Sequence, residues 1–95
     1  MSLSTHVLDT ERGLPAAGVR VELYDAAGAL VGDGVTDEGG RIGELGETTA
    51  GTYRIVFHPP SPFFKKIELE VELGEGHHHV PLLISSYACA SYRGS

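Results

Sequence analysis

The chain is predicted to be all-β: a sandwich of two four-stranded sheets, with about eight strands and little or no helix. Three observations carry this expectation. Apolar residues recur at every second position along most of the 95 residues, which is the period of a half-buried strand. Turn residues, 13 Gly among them, interrupt that alternation at the spacing of sandwich hairpins. No segment carries an apolar period of about 3.6 residues, the mark of an amphipathic helix.

Thr5 to Leu8 forms the opening strand. Val19, Val21 and Leu23 then alternate with Arg20, Glu22 and Tyr24, so the next strand buries one face and wets the other. Asp25-Ala26-Ala27-Gly28 reads as a hairpin turn into a strand from Ala29 to Val35. Asp37-Glu38-Gly39-Gly40 is a second turn, ahead of a short strand from Arg41 to Leu45. Tyr53 to His58 is a strand stopped by Pro59 and Pro60, which cannot donate to a ladder. Beyond Phe64, Ile67, Leu69, Val71 and Leu73 alternate with Glu68, Glu70 and Glu72, and those three glutamates mark a solvated sheet face. Gly74-Glu75-Gly76 leads into a strand from His77 to Ser85, and Tyr87 to Tyr92 closes the set.

Ninety-five residues make one domain, residues 1–95, small enough that its stability is expected to be shared with partner subunits. A net charge of −6 disfavours nucleic acid and anionic membrane as partners. No apolar run nears the roughly 20 residues of a membrane span. The start, Met1-Ser2-Leu3-Ser4-Thr5-His6, lacks the cationic and apolar stretches of a secretory signal. The one cysteine, Cys89, fits a reducing compartment. A cytoplasmic protein is expected.

Strand parity sorts the polar residues. An inward Val7 turns His6 and Leu8 outward, and an inward Ile42 does the same for Arg41. Inward Val80, Leu82 and Ile84 turn His77, His79, Pro81 and Leu83 outward. His6, Arg41 and His79 can therefore share the outer face of one sheet beside Leu8 and Leu83. An outer face with apolar residues usually meets another subunit, so the polar cluster is expected in or beside a subunit interface. The ending, Tyr92-Arg93-Gly94-Ser95, differs from an ordinary frayed polar tail. It offers an aromatic, a cation, a flexible glycine and a hydroxyl with its own carboxylate, a set suited to gripping a small polar molecule.

Four segments in this order resemble the 5-hydroxyisourate hydrolases, the purine-catabolic branch of the transthyretin-like family. They are Leu3-Ser4-Thr5-His6-Val7-Leu8-Asp9 with Gly13-Leu14-Pro15-Ala16, Thr36-Asp37-Glu38-Gly39-Gly40-Arg41, His79-Val80-Pro81-Leu82-Leu83-Ile84-Ser85, and Tyr92-Arg93-Gly94-Ser95. Phe63-Phe64 is similar to the family's aromatic pair. Three positions depart from the pattern. Pro59-Pro60-Ser61-Pro62 stands where the family has a short helix, and Lys65 and Ser86 stand where it often has proline.

The resemblance implies a transthyretin-like sandwich and a homotetramer, a dimer of dimers with sites in the channel between dimers. It implies hydrolysis of 5-hydroxyisourate to 2-oxo-4-hydroxy-4-carboxy-5-ureidoimidazoline in urate degradation, with no cofactor and no metal. His6, Arg41, His79 and Ser95 are the expected catalytic residues, and Tyr92 joins His6 and Arg41 in holding substrate. Such a reaction needs a base for water, a partner for developing negative charge and a clamp for a planar heterocycle. A histidine suits the first role and the guanidinium fork of Arg41 the other two. Residue types alone do not distinguish which histidine is the base. The runner-up is a non-catalytic carrier of a small aromatic ligand in the same channel, and a plain adhesion module is a third reading. His77-His78-His79 invites a metal reading, but only His77 and His79 share a strand face, and no cysteine or carboxylate stands at tight spacing beside them.

Overall fold

The computed structural model describes residues 1–95 and contains strands but no helix. In chain order the strands are β1 (Ser2–Asp9), β2 (Leu14–Pro15), β3 (Arg20–Asp25), β4 (Leu30–Val35), β5 (Arg41–Glu47), β6 (Gly51–His58), β7 (Ile67–Leu73), β8 (His77–His79), β9 (Leu82–Ile84) and β10 (Cys89–Ser91). One sheet is the expected four-stranded antiparallel array, in the order β4-β3-β6-β7. The other is built around β1. It pairs antiparallel with β5 and β2, and in parallel with β8 and β9, while β10 extends the sheet beyond β9.

This second sheet has six segments where four were expected, for two local reasons. The two-residue β2 adds a short pairing beside Leu8 and Asp9. The strand expected from His77 to Ser85 divides at Val80-Pro81, because proline brings no N–H to the ladder. The register does not change across the break: Ser4 stands beside His79, and Val7 beside Leu82. Thr5 Oγ1 donates to the Val80 carbonyl at 2.7 Å, and the Val80 amide donates to the Ser4 carbonyl at 3.0 Å. β8 and β9 therefore act as one strand interrupted at the two residues Val80 and Pro81.

A single cluster of 16 buried apolar residues fills the space between the sheets, including Leu3, Val7, Leu82 and Ile84 from one and Val21, Leu23, Ile55 and Phe57 from the other. Each fully buried aliphatic side chain contributes about 1.5–3 kcal/mol. The parity argument holds for Val7, Ile42, Val80, Leu82 and Ile84, all buried. It fails at Pro81, expected on the outer face and instead buried to below 2 % exposure. Alternation lapses at the residue that leaves the ladder, and Ser91 Oγ of the neighbouring chain segment donates to the Pro81 carbonyl at 2.7 Å.

The sheets come into close backbone contact where Gly32 of β4 crosses β5. A Cβ at Gly32 would run into the backbone carbonyl of Leu45, and one at Gly46 would meet the Val31 carbonyl at 3.1 Å. Backbone cannot swing aside as a side chain can, so only glycine fits. Gly32→Ala is expected to destabilise the protein by about 1–3 kcal/mol in urea denaturation. Gly43→Ala, with open space on the facing strand β5, should change stability by less than about 0.5 kcal/mol. Equal midpoints for the two variants would contradict the close approach.

Candidate active site

β1 supplies a column of outward side chains. Parity puts Leu3, Thr5 and Val7 in the core, so Ser2, Ser4 and His6 share the outer face. The neighbours are set by register. Arg41 of β5 lies directly across from His6, and His77 and His79 of β8 lie beside Ser2 and Ser4. Strands that are far apart in sequence thus bring His6, Arg41, His77 and His79 onto one patch of sheet.

Arg41 is placed by the turn before it. Asp37 Oδ1 accepts the amides of Gly39 and Arg41, both at 2.9 Å, while the Gly40 amide donates to the Asp37 carbonyl at 2.9 Å. Gly40 has φ of 75°, a left-handed conformation that favours glycine, and its carbonyl takes the Val7 amide at 2.7 Å. The same turn turns the Gly39 carbonyl to His6, whose Nε2 donates to it at 2.8 Å. A carbonyl only accepts, so the neutral His6 ring carries its proton on Nε2. Its Nδ1 is left as the basic nitrogen.

His79 is held through Ser4. Ser4 Oγ lies 2.8 Å from His79 Nδ1 and 2.9 Å from His77 Nε2, and His77 Nδ1 lies 2.6 Å from Ser2 Oγ. The His79 pKa is lowered from its ordinary 6.5. Burial is the largest cause, followed by the positive charges of Arg41, His6 and His77. The folded protein therefore binds this proton less readily than the unfolded chain does. The resulting stability is fully present above about pH 6.5 and is lost as pH falls through the lowered value. At neutral pH His79 is an uncharged imidazole, able to accept a proton.

The four-residue ending divides. Gly94 pairs with His79, its amide donating to the His79 carbonyl at 2.7 Å. A Cβ there would sit 2.6 Å from His79 Cδ2, so the glycine lets backbone lie against the imidazole. Ser95 is exposed and follows directly after this bridge. Tyr92, 59 % exposed, lines a cleft of about 630 Å³ together with Arg93, His78 and β7 residues Glu68 to Leu73. That cleft lies on the His78 side of β8 and does not include His6, Arg41 or His79. The histidine patch itself is an open sheet face, flanked by half-buried Leu8 and Leu83.

Parity in the sequence brought out His6, Arg41 and His79, but not Ser4, Ser2 or the Gly39 carbonyl. Serine in a strand carries little signal by itself. The every-second-residue column Ser2, Ser4, His6 was the available clue.

A two-sheet sandwich with this basic outer patch defines a class, and the comparison with known sequences makes it specific. The chain belongs to the HIUase/Transthyretin family, whose model matches residues 3–94 and so takes in Ser4, His6, Arg41, His77 and His79. It is 39 % identical to the 5-hydroxyisourate hydrolase of Deinococcus radiodurans, over 98 % of this chain and 95 % of that one. It is 37 % identical to 5-hydroxyisourate hydrolase 2 of Rhizobium meliloti, over the same two shares. Among solved structures, the 5-hydroxyisourate hydrolase of Klebsiella pneumoniae superposes with a TM-score of 0.91 at 31 % identity, covering 100 % of both chains. Sea bream transthyretin in complex with thyroxine superposes at 0.87 with 27 % identity, covering 99 % of this chain and 95 % of the other.

Gly94→Ala is expected to break the bridge to His79. Hydrogen exchange at the residue 94 amide should quicken by at least about tenfold, the signature of local opening. Gly74→Ala, with open space around it, should leave that amide protected. Undiminished protection in Gly94→Ala would contradict the contact.

Proposed function

We propose that residues 1–95 act as one hydrolase domain that converts 5-hydroxyisourate to 2-oxo-4-hydroxy-4-carboxy-5-ureidoimidazoline, a step in urate degradation. Near-full-length similarity to hydrolases of that substrate supports the reaction. The observation that carries the site is the meeting of His6, Arg41 and a neutral His79 on one sheet face.

In this reading His79 takes the proton of the attacking water. Its lowered pKa keeps it in the basic form at neutral pH. His6, anchored at Nε2 by the Gly39 carbonyl, turns Nδ1 to the same water or to a substrate N–H. Arg41 clamps the oxygens of the heterocycle and stabilises the negative charge that grows on the carbonyl oxygen as the tetrahedral intermediate forms. Ser95 lies one residue beyond the Gly94–His79 bridge and supplies a hydroxyl to position water or substrate. Tyr92 lines the separate cleft on the His78 side of β8 and has no assigned role at this patch.

The reading includes assembly as a homotetramer, a dimer of dimers. A catalytic patch on an open sheet face has no wall to exclude water, and a second copy laid over Leu8, Leu83 and the basic cluster would supply one. A cytoplasmic site of action fits the lone, exposed, unpaired thiol of Cys89.

The test follows the ultraviolet absorbance of freshly generated 5-hydroxyisourate, with spontaneous decay subtracted. The protein is expected to accelerate the decay. His79→Ala, His6→Ala and Arg41→Ala should each lower turnover by about 10²–10⁴-fold, the range of general acid–base and charge-stabilising groups, with an unchanged fold. A folded protein that gives no acceleration would sink this reading. The carrier alternative, represented among the structural neighbours by transthyretin with bound thyroxine, would then take first place.

A further inference from the structure

Four side chains on the outer face form a continuous hydrogen-bonded row. In order they are Ser2 Oγ, His77 Nδ1 and Nε2, Ser4 Oγ, and His79 Nδ1, with links of 2.6, 2.9 and 2.8 Å. Ser4 is buried to 9 % exposure, whereas His77 is exposed. The row therefore runs from the interior edge of the site to solvent.

A hydroxyl has one proton to donate. Ser4 touches two imidazole nitrogens, so when both links are made it donates to one and accepts from the other. That permits two polarities for the neutral row. In the first, His79 Nδ1–H donates to Ser4, Ser4 donates to His77 Nε2, and His77 Nδ1–H donates to Ser2. His79 Nε2 is then a free base. In the second, every donor is reversed: Ser2 donates to His77 Nδ1, His77 Nε2–H donates to Ser4, and Ser4 donates to His79 Nδ1. His79 Nε2 then carries the proton and is an acid.

We infer that Ser4 and His77 are positioning residues forming a proton relay, which switches His79 between base and acid within one turnover. The inference rests on the proposed role of His79 as the base. As water attacks, its O–H bond breaks while the new C–O bond forms at the substrate carbonyl, and the proton binds His79 Nε2. The Nδ1 proton passes to Ser4, the Ser4 hydroxyl proton to His77 Nε2, and the His77 Nδ1 proton leaves through Ser2 to solvent. The row is now in its second polarity, with a proton on Nε2 ready for the leaving ring nitrogen. When the C–N bond breaks, that nitrogen takes the Nε2 proton, and a solvent proton entering at Ser2 restores the first polarity. No step leaves an imidazolium beside Arg41 and His6, the groups of β5 and β1 whose charges face His79 together with His77 of β8.

The experiment is steady-state turnover of freshly generated 5-hydroxyisourate by four variants. His77→Ala, at an exposed position, is expected to lower kcat about tenfold with KM unchanged, and imidazole in the buffer should restore most of the loss. Ser4→Ala should lower kcat by about 10²-fold, the lower end for a proton-transfer group. Ser4→Thr keeps the hydroxyl and should return to within a few-fold of the parent. Turnover within twofold of the parent in both His77→Ala and Ser4→Ala overturns the relay. A loss that neither imidazole nor Ser4→Thr recovers also overturns it, leaving the row a structural support. His79→Ala separates the two readings: if it is fully active, the hydrolase site itself is wrongly placed and the relay falls with it.

Discussion

The strand β1 is paired on both edges, and its register decides everything at the candidate site. An antiparallel partner puts Arg41 across from His6, and a parallel partner puts His77 and His79 beside Ser2 and Ser4. Parity alternates along a strand, so a slip of one residue would turn this column into the core and carry Leu3, Thr5 and Val7 to solvent. Those three residues are essentially fully buried, and Thr5 is further tied to the Val80 carbonyl. The hydrophobic core and the polar row are therefore two faces of one constraint. Burial on the inside holds the chemistry in place on the outside.

The electrostatics of the patch follow from its composition. The chain carries a net charge of −6, yet the charged groups that act on His79 are Arg41, His6 and His77. Burial first, and then the basic groups around it, lower the His79 pKa and make the ring a ready proton acceptor. The basic groups also suit a reaction in which negative charge develops on an oxygen. Two backbone carbonyls beside the patch are used: the Gly39 carbonyl fixes the tautomer of His6, and the His79 carbonyl receives the Gly94 amide. The space for a Cβ is taken at Gly40 by the Val7 carbonyl and at Gly94 by the His79 ring.

Much of this was legible in the sequence because strand parity is strict. Inward Val7, Ile42 and Val80 forced His6, Arg41 and His79 outward, and the turn residues separated most of the strands, β2 and the division between β8 and β9 excepted. What parity could not supply was register. Nothing in the sequence alone says that Ser4 rather than His6 stands beside His79, since that depends on a parallel pairing between segments 75 residues apart in the chain. Pro81 was misplaced because alternation assumes an unbroken ladder, and its ring ends the ladder locally. The six-segment sheet arose from that same break and from the short Leu14–Pro15 pairing. Tyr92 and Ser95 drew attention by chemical type. Their placement depends on how the last residues fold across β8, which a local pattern does not encode.

The central claim is that the fold holds His79 as a neutral base, and a pH titration of the protein with ¹⁵N-labelled histidine tests it most directly. The account predicts that the His79 ring is uncharged at pH 7 and titrates with a midpoint below the ordinary 6.5, with global stability declining over the same acidic interval. A midpoint at or above 6.5, or a His79 ring already protonated at neutral pH, would contradict it.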